Sequence, residues 1–259
     1  MCNHYRQAIL RGETIPGWSR DQFSEIKIPV RFHNMAQDIY PDREGLVIRL
    51  GGGADGPAPS ASRASPLELV PRTNSSAERT ASKPFETPPL AAPQDEGVSA
   101  GGLTVEAMRW GFPPPPNGAS VYVTNVRNTA SAFWKPWLKT EHRCIVPVAQ
   151  FAEPDPEKPK PRAERWFARH DGGPMYFAGL WRDWAGDRGP KSKPVAGPHR
   201  LFAFLTCEPN GVVKPIHPKA MPVVLSADEA MTWLSAAPAE ALSLQKPMAD
   251  EALAMLERE

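Results

Sequence analysis

Along most of this chain, apolar residues alternate with polar ones over short stretches, and turn-forming residues separate one stretch from the next. Such runs, together with continuous runs of β-favouring apolar residues, predict strands at Gly45–Leu50, Leu103–Trp110, Val121–Val126, Arg143–Val148, Arg165–Arg169, Met175–Trp181, Leu201–Thr206 and Met221–Leu225. So many short strands imply a sheet or a barrel. Helical spacing enters late: Ser226 and Glu229 stand at capping-box separation ahead of Ala230, Met231, Trp233 and Leu234. A second helix is predicted over Asp250–Arg258. A short one is predicted after Asn128, with Ala132, Phe133 and Leu138 inward and Pro136 interrupting it. There is no internal repeat.

One stretch breaks the alternation. Residues 51–100 hold 8 Pro, 5 Gly, 7 Ser and 9 Ala, too little apolar surface to offset the entropy of ordering them. They are expected to be a flexible insertion, with a short ordered patch at Leu67–Val70, in a single domain that otherwise spans 1–259. The whole chain has 31 Pro among 259 residues, more than twice the usual share of about 5%, which disfavours an all-α or coiled-coil architecture. The net charge is only +1, so contact with nucleic acid would need a local basic groove. The cysteines at 2, 144 and 207 are odd in number and form no Cys-x-x-Cys pair, which argues against a disulfide framework or a zinc knuckle. No apolar run approaches the roughly 18 residues of a membrane span, and MCNHYRQAIL lacks the order of a signal peptide. A cytoplasmic protein is expected, with no metal and no cofactor.

Four places carry candidate chemistry. Cys2 follows the initiating Met, and a small second residue permits removal of Met1. The product is a 1,2-aminothiol whose amine and thiol titrate at about 8 and about 8.5, well matched to an aldehyde through an imine and then a thiazolidine. An inert thiol is the plainer reading. Asn125 and Arg127 share one strand face, the first offering a donor and an acceptor and the second a fork for phosphate. Turn chemistry and a surface ion pair are the plainer reading of the cluster taken alone. Glu153 ends an apolar stretch, where burial would raise its pKa and suit it to proton transfer, although strand-end glutamates are commonly solvated. His217, ahead of an apolar strand, can shuttle protons near neutrality or sit idle in a loop. The other histidines lack metal-site spacing.

Taken in order, MCNHYR, Met108-Arg109-Trp110-Gly111, Thr124-Asn125-Val126-Arg127, Arg143 to Glu153 and Ile216-His217 to Met221-Pro222 resemble the SRAP (SOS response-associated peptidase) family. The likeness runs over nearly the whole chain outside the insertion. It implies an α+β domain with a β-barrel-like antiparallel core and peripheral helices. It also implies action on abasic sites in single-stranded DNA through a covalent link to Cys2, after Met1 is removed, with weak lyase character. By that resemblance Asn125 positions the N-terminal residue and the sugar, Glu153 is the acid/base group, and His217 assists imine chemistry and reversal. Arg127 would hold a phosphate, and Arg6, Arg109 and Trp110 would line the DNA surface. A monomer is expected, associated with the nucleoid when bound to DNA. The chain departs from the common Met-Cys-Gly-Arg opening at Asn3 and His4, so Arg6 is expected to substitute for a contact from position 4. It also has Ala152-Glu153-Pro154 for the usual aromatic-Glu-Trp, and Lys219 and Ala220 lengthen the His217 motif by one residue. Two other readings compete: a thiol peptidase acting on other proteins, and a non-covalent single-strand binder that stacks bases on Trp110, Trp134 and Trp137.

Overall fold

A computed structural model describes residues 2–8, 35–51, 102–115, 122–157 and 163–257. The expected insertion, beyond Gly51, and its Leu67–Val70 patch lie outside the described residues, as do Met1, Val121 and Arg258. Twelve strands are described: β1 (His4–Gln7), β2 (Asp38–Ile39), β3 (Glu44–Leu50), β4 (Leu103–Trp110), β5 (Asn125–Val126), β6 (Arg143–Pro154), β7 (Glu164–Arg169), β8 (Met175–Trp184), β9 (His199–Cys207), β10 (Met221–Pro222), β11 (Val224–Leu225) and β12 (Leu253–Met255). Two α-helices accompany them, α1 (Ala227–Ser235) and α2 (Pro238–Ser243).

Five strands close on themselves. β3 pairs with β4, β4 with β9, β9 with β8, β8 with β6, and β6 returns to β3 at Ile48↔Ile145. The β4–β9 pair is parallel, with Trp110 opposite Phe202, and β5 also joins β9 in parallel. The expected barrel core is present, and it is mixed rather than wholly antiparallel because one of its five seams, β4–β9, is parallel. The fold is mostly β with few helices. Closure removes the exposed edges of these five strands.

Aromatic side chains fill the barrel. Tyr5, Trp110, Phe177 and Phe204 are fully buried, with ring centroids 5.4 Å apart for Tyr5–Trp110 and 4.7 Å for Phe177–Phe204. Each such burial is worth roughly 1.5–3 kcal/mol. Tyr5 reaches this interior because Gly45 faces it: a Cβ there would collide with the Tyr5 hydroxyl. Trp110 is thus core, and the expectation that it lines a DNA surface is wrong. Its alternation with polar neighbours points it inward, and its indole N–H is satisfied by the Thr124 carbonyl at 3.0 Å. Trp134 is buried too, against Phe112.

Helix α1 begins as its sequence dictates. The Ser226 hydroxyl accepts from the Glu229 N–H at 3.3 Å, and the Glu229 carboxylate accepts from the Ser226 N–H at 2.9 Å. Its Trp233 docks on the barrel by donating to the carbonyls of Cys144 at 2.9 Å and Gly179 at 3.1 Å. Elsewhere the helical expectations fail. After Asn128 the chain forms turns and 3-10 segments at Lys135–Leu138 and Thr140–His142. Asp250–Ala252 is a 3-10 turn leading into β12, which pairs with β7, so the expected Asp250–Arg258 helix does not form. Pairing to a waiting sheet edge outweighs local helical spacing there.

Candidate active site

The N-terminal segment enters the site as strand backbone. β1 lies between β2 and β6, with His4 opposite Ala152 and Tyr5 opposite Phe151. That register carries the residues before His4 alongside Glu153, near the far end of β6. Cys2 is buried, at 1% exposure, and its thiol donates to the His4 carbonyl at 3.4 Å. Asn125 opens β5, which β9 holds beside the barrel through Asn125↔Phe204 and Val126↔Leu205. Its Nδ2 donates to the Cys2 carbonyl at 3.3 Å and to the Thr124 hydroxyl at 2.8 Å. The Asn125 Oδ1 and the Thr206 hydroxyl are buried with no hydrogen-bond partner among the described residues.

Glu153 is the penultimate residue of β6, at the end of the apolar run as expected, and it is wholly buried rather than solvated. Burial pushes its pKa up to about 7, and the charge of Glu164 acts in the same direction. The Cys2 thiol is pushed well above its usual value, first by burial and then by the Glu153 charge. Cys2, Asn125 and Glu153 are therefore one cluster, in which the Glu153 charge disfavours the Cys2 thiolate. His217 Nδ1 lies 2.6 Å from the Ala220 carbonyl. Burial depresses its pKa, the hydrogen bond to the Ala220 carbonyl works against that, and the Lys219 charge depresses it further. An imidazole held largely neutral is a proton acceptor. Cys144 and Cys207 are buried thiols whose pKa values burial raises, and neither joins this cluster.

The basic residues are already engaged. Arg127 follows β5 and pairs with the exposed Glu208. Arg6 donates to Asp38 at 3.0 Å and Gln150 at 3.2 Å, and its guanidinium lies 4.4 Å from the Trp166 ring. Arg109 donates to the Asp42 carbonyl at 2.7 Å and pairs with its carboxylate at 3.6 Å, a contact that ties β4 to the β2–β3 turn. His4, at the position where the resemblance would place arginine, is buried between two acids: Nδ1 is 2.8 Å from Glu164 and Nε2 3.1 Å from Asp38. It stacks on Tyr40 at 4.0 Å. Sequence reasoning missed Asp38 and Glu164, because each is an ordinary surface acid until β2 and β7 bring it to His4.

A mixed β-barrel with its second residue buried beside Asn125 and Glu153 is the class of protein these strands define. The chain belongs to the SRAP family: the model for SOS response associated peptidase (SRAP) matches residues 14–257. Among solved structures, a protein from Bordetella bronchiseptica is similar at 19% identity and a TM-score of 0.60, over 99% of this chain and 100% of that one. A phage-related protein from the same organism is similar at 15% identity and a TM-score of 0.54, over 100% of this chain and 95% of that one. These likenesses carry the fold. No curated protein matches the chain. Among the described residues, no helix is long and apolar enough to cross a membrane, and no group of His, Cys, Asp and Glu side chains is placed to hold a metal ion.

Proposed function

We propose that this protein captures abasic sites in single-stranded DNA as a covalent adduct on Cys2. The observation that carries the reading is the packing of Asn125 and the wholly buried Glu153 around Cys2. Hydrolysis of the Met1–Cys2 peptide bond consumes one water and leaves Cys2 with a free α-amine. That amine adds to the aldehyde of the ring-opened sugar and expels water to give an imine. The thiol then adds across the C=N bond, sulfur to carbon and proton to nitrogen, closing a thiazolidine. A thiol with a pKa raised by burial needs a base close by. Glu153, with a pKa of about 7, accepts and returns protons at neutral pH.

The other groups fit around this sequence. Asn125 holds the Cys2 carbonyl and offers its Oδ1 to the amine or to a sugar hydroxyl. His217 takes protons during formation and reversal of the imine, and the exposed Arg127 exchanges Glu208 for a phosphate. A peptidase of the Cys–His type would pair thiol and imidazole, whereas here the Cys2 thiol donates to a backbone carbonyl and the His217 Nδ1 lies on another. The base-stacking alternative loses Trp110 and Trp134 to the core. The domain map, a single 1–259 domain interrupted by an insertion at 51–100, is supported by the hydrogen bond from the Gly51 N–H to the Gly102 carbonyl at 2.8 Å, which joins the residues at the two ends of that segment. The test is incubation with an oligonucleotide bearing one abasic site. The expected product survives denaturation and has the mass of chain lacking Met1 plus DNA minus one water. Absence of that product under conditions where the protein is folded would refute the proposal.

A further inference from the structure

Gln245 lies in the turn that follows α2, with its backbone N–H on the Leu242 carbonyl at 3.0 Å. Its carboxamide nitrogen donates to the carbonyls of both Arg127 and Thr206, each at 2.9 Å, and its oxygen lies 2.9 Å from the Thr129 hydroxyl. Those two carbonyls stand side by side where the parallel β5–β9 ladder stops, one residue past Val126↔Leu205. Both are acceptors, so neither can satisfy the other, and a group with two N–H bonds is what the gap requires. β5 is only two residues long, and the bond from the Phe204 N–H to the Thr124 carbonyl, at 3.4 Å, is at the weak end of the range.

The structure assigns Gln245 as a positioning residue that fastens β5 to β9 and so fixes Asn125 against the Cys2 carbonyl. The assignment extends the reading of the Cys2 site given above: the C-terminal segment, remote in sequence from Cys2, sets the geometry of the N-terminal nucleophile. Its path is short, since Asn125 reaches Cys2 from the same two-residue strand whose end Gln245 holds.

Gln245→Glu is the incisive change, because it keeps shape and the acceptor for Thr129 but sets a carboxylate against two carbonyls. Backbone amide exchange followed by mass spectrometry should quicken over residues 124–129, while peptides from β3, β6 and β8 keep wild-type rates. The rate of adduct formation on an abasic oligonucleotide should fall roughly 10- to 100-fold, as expected for a displaced catalytic constellation. Combined with Asn125→Ala, the double variant should be little slower than Asn125→Ala alone, since both act through one contact. Gln245→Met, which removes the donors without adding charge, repeats the series should the glutamate variant not fold. Unchanged exchange over 124–129, or effects of the two substitutions that multiply, would overturn the assignment. Should wild-type protein give no adduct, the DNA reading falls, and the exchange result alone then decides whether Gln245 holds β5.

Discussion

Replacing Glu153 by Gln should change how the stability of the protein depends on pH. Glu153 is wholly buried, and its pKa rises from an ordinary 4.5 to about 7 on folding. The folded chain therefore holds this proton over a range where the unfolded chain has lost it. Stability is full below about pH 4.5 and declines as pH climbs toward 7, then levels off. At 1.36 kcal/mol for each pH unit, the interval from 4.5 to about 7 corresponds to about 3 kcal/mol. Gln has the same shape and does not ionise, so that share of the slope should vanish. Urea unfolding of both proteins at intervals from pH 4.5 to 8.5 measures it, with intact mass used to compare chains having the same N-terminus. The difference between the two curves cancels every titrating group that does not interact with Glu153. It should run in favour of the variant as pH rises, by about 3 kcal/mol in total. Curves that stay parallel within about 1 kcal/mol across the range would refute the reasoning, because extrapolation error alone is of that order. A further expectation follows for chemistry: the deprotonated base becomes the majority form above about pH 7, so the protein should react fastest where Glu153 destabilises it most.

Cys2→Ala should yield no stable adduct, since the amine remains but no ring can close. Cys2→Ser should retain an imine that borohydride traps, and both products are distinguished by denaturing gel and mass spectrometry. Arg127→Ala should weaken binding to undamaged single strands and flatten the salt dependence of the binding constant by about one unit of log–log slope, measured by fluorescence anisotropy at several salt concentrations. Replacing residues 52–101 by a short Gly-Ser bridge should leave both thermal unfolding and adduct rate close to wild type, because the bonded ends at Gly51 and Gly102 already sit where a tight hairpin turn would join them. Loss of folding in that variant would make the segment integral to the barrel.

The barrel strands were legible because each carries its signal locally. β3, β4, β8 and β9 are alternating or continuous apolar runs bounded by turn residues, and α1 announces itself through Ser226 and Glu229. β1 was not, since His4-Tyr5-Arg6-Gln7 is a strand only by virtue of β2 and β6 on either side. α2 was also missed, although Pro238 at its first turn is a start signal that the sequence displays. At the candidate site, residue chemistry together with family resemblance singled out Cys2, Asn125, Glu153 and His217, and the fold brings the first three together. The same resemblance misplaced Trp110, because a motif records which residue is retained and is silent on whether it faces solvent or core. Gln245, Asp38 and Glu164 carry no signal along the chain. Their roles exist only once strands distant in sequence lie side by side.

β1 also has a mechanical meaning. Were a DNA strand joined to Cys2, anything that hauled on that strand would pull on the protein through its first residues. A load drawn out along β1 meets four registered pairs to β6 and two to β2, arranged side by side. Such bonds resist sliding together, whereas those of a peeled hairpin break in succession. The strand that delivers the nucleophile is thus also placed to act as an anchor, and β6, which carries Glu153, is the element that would bear most of the strain.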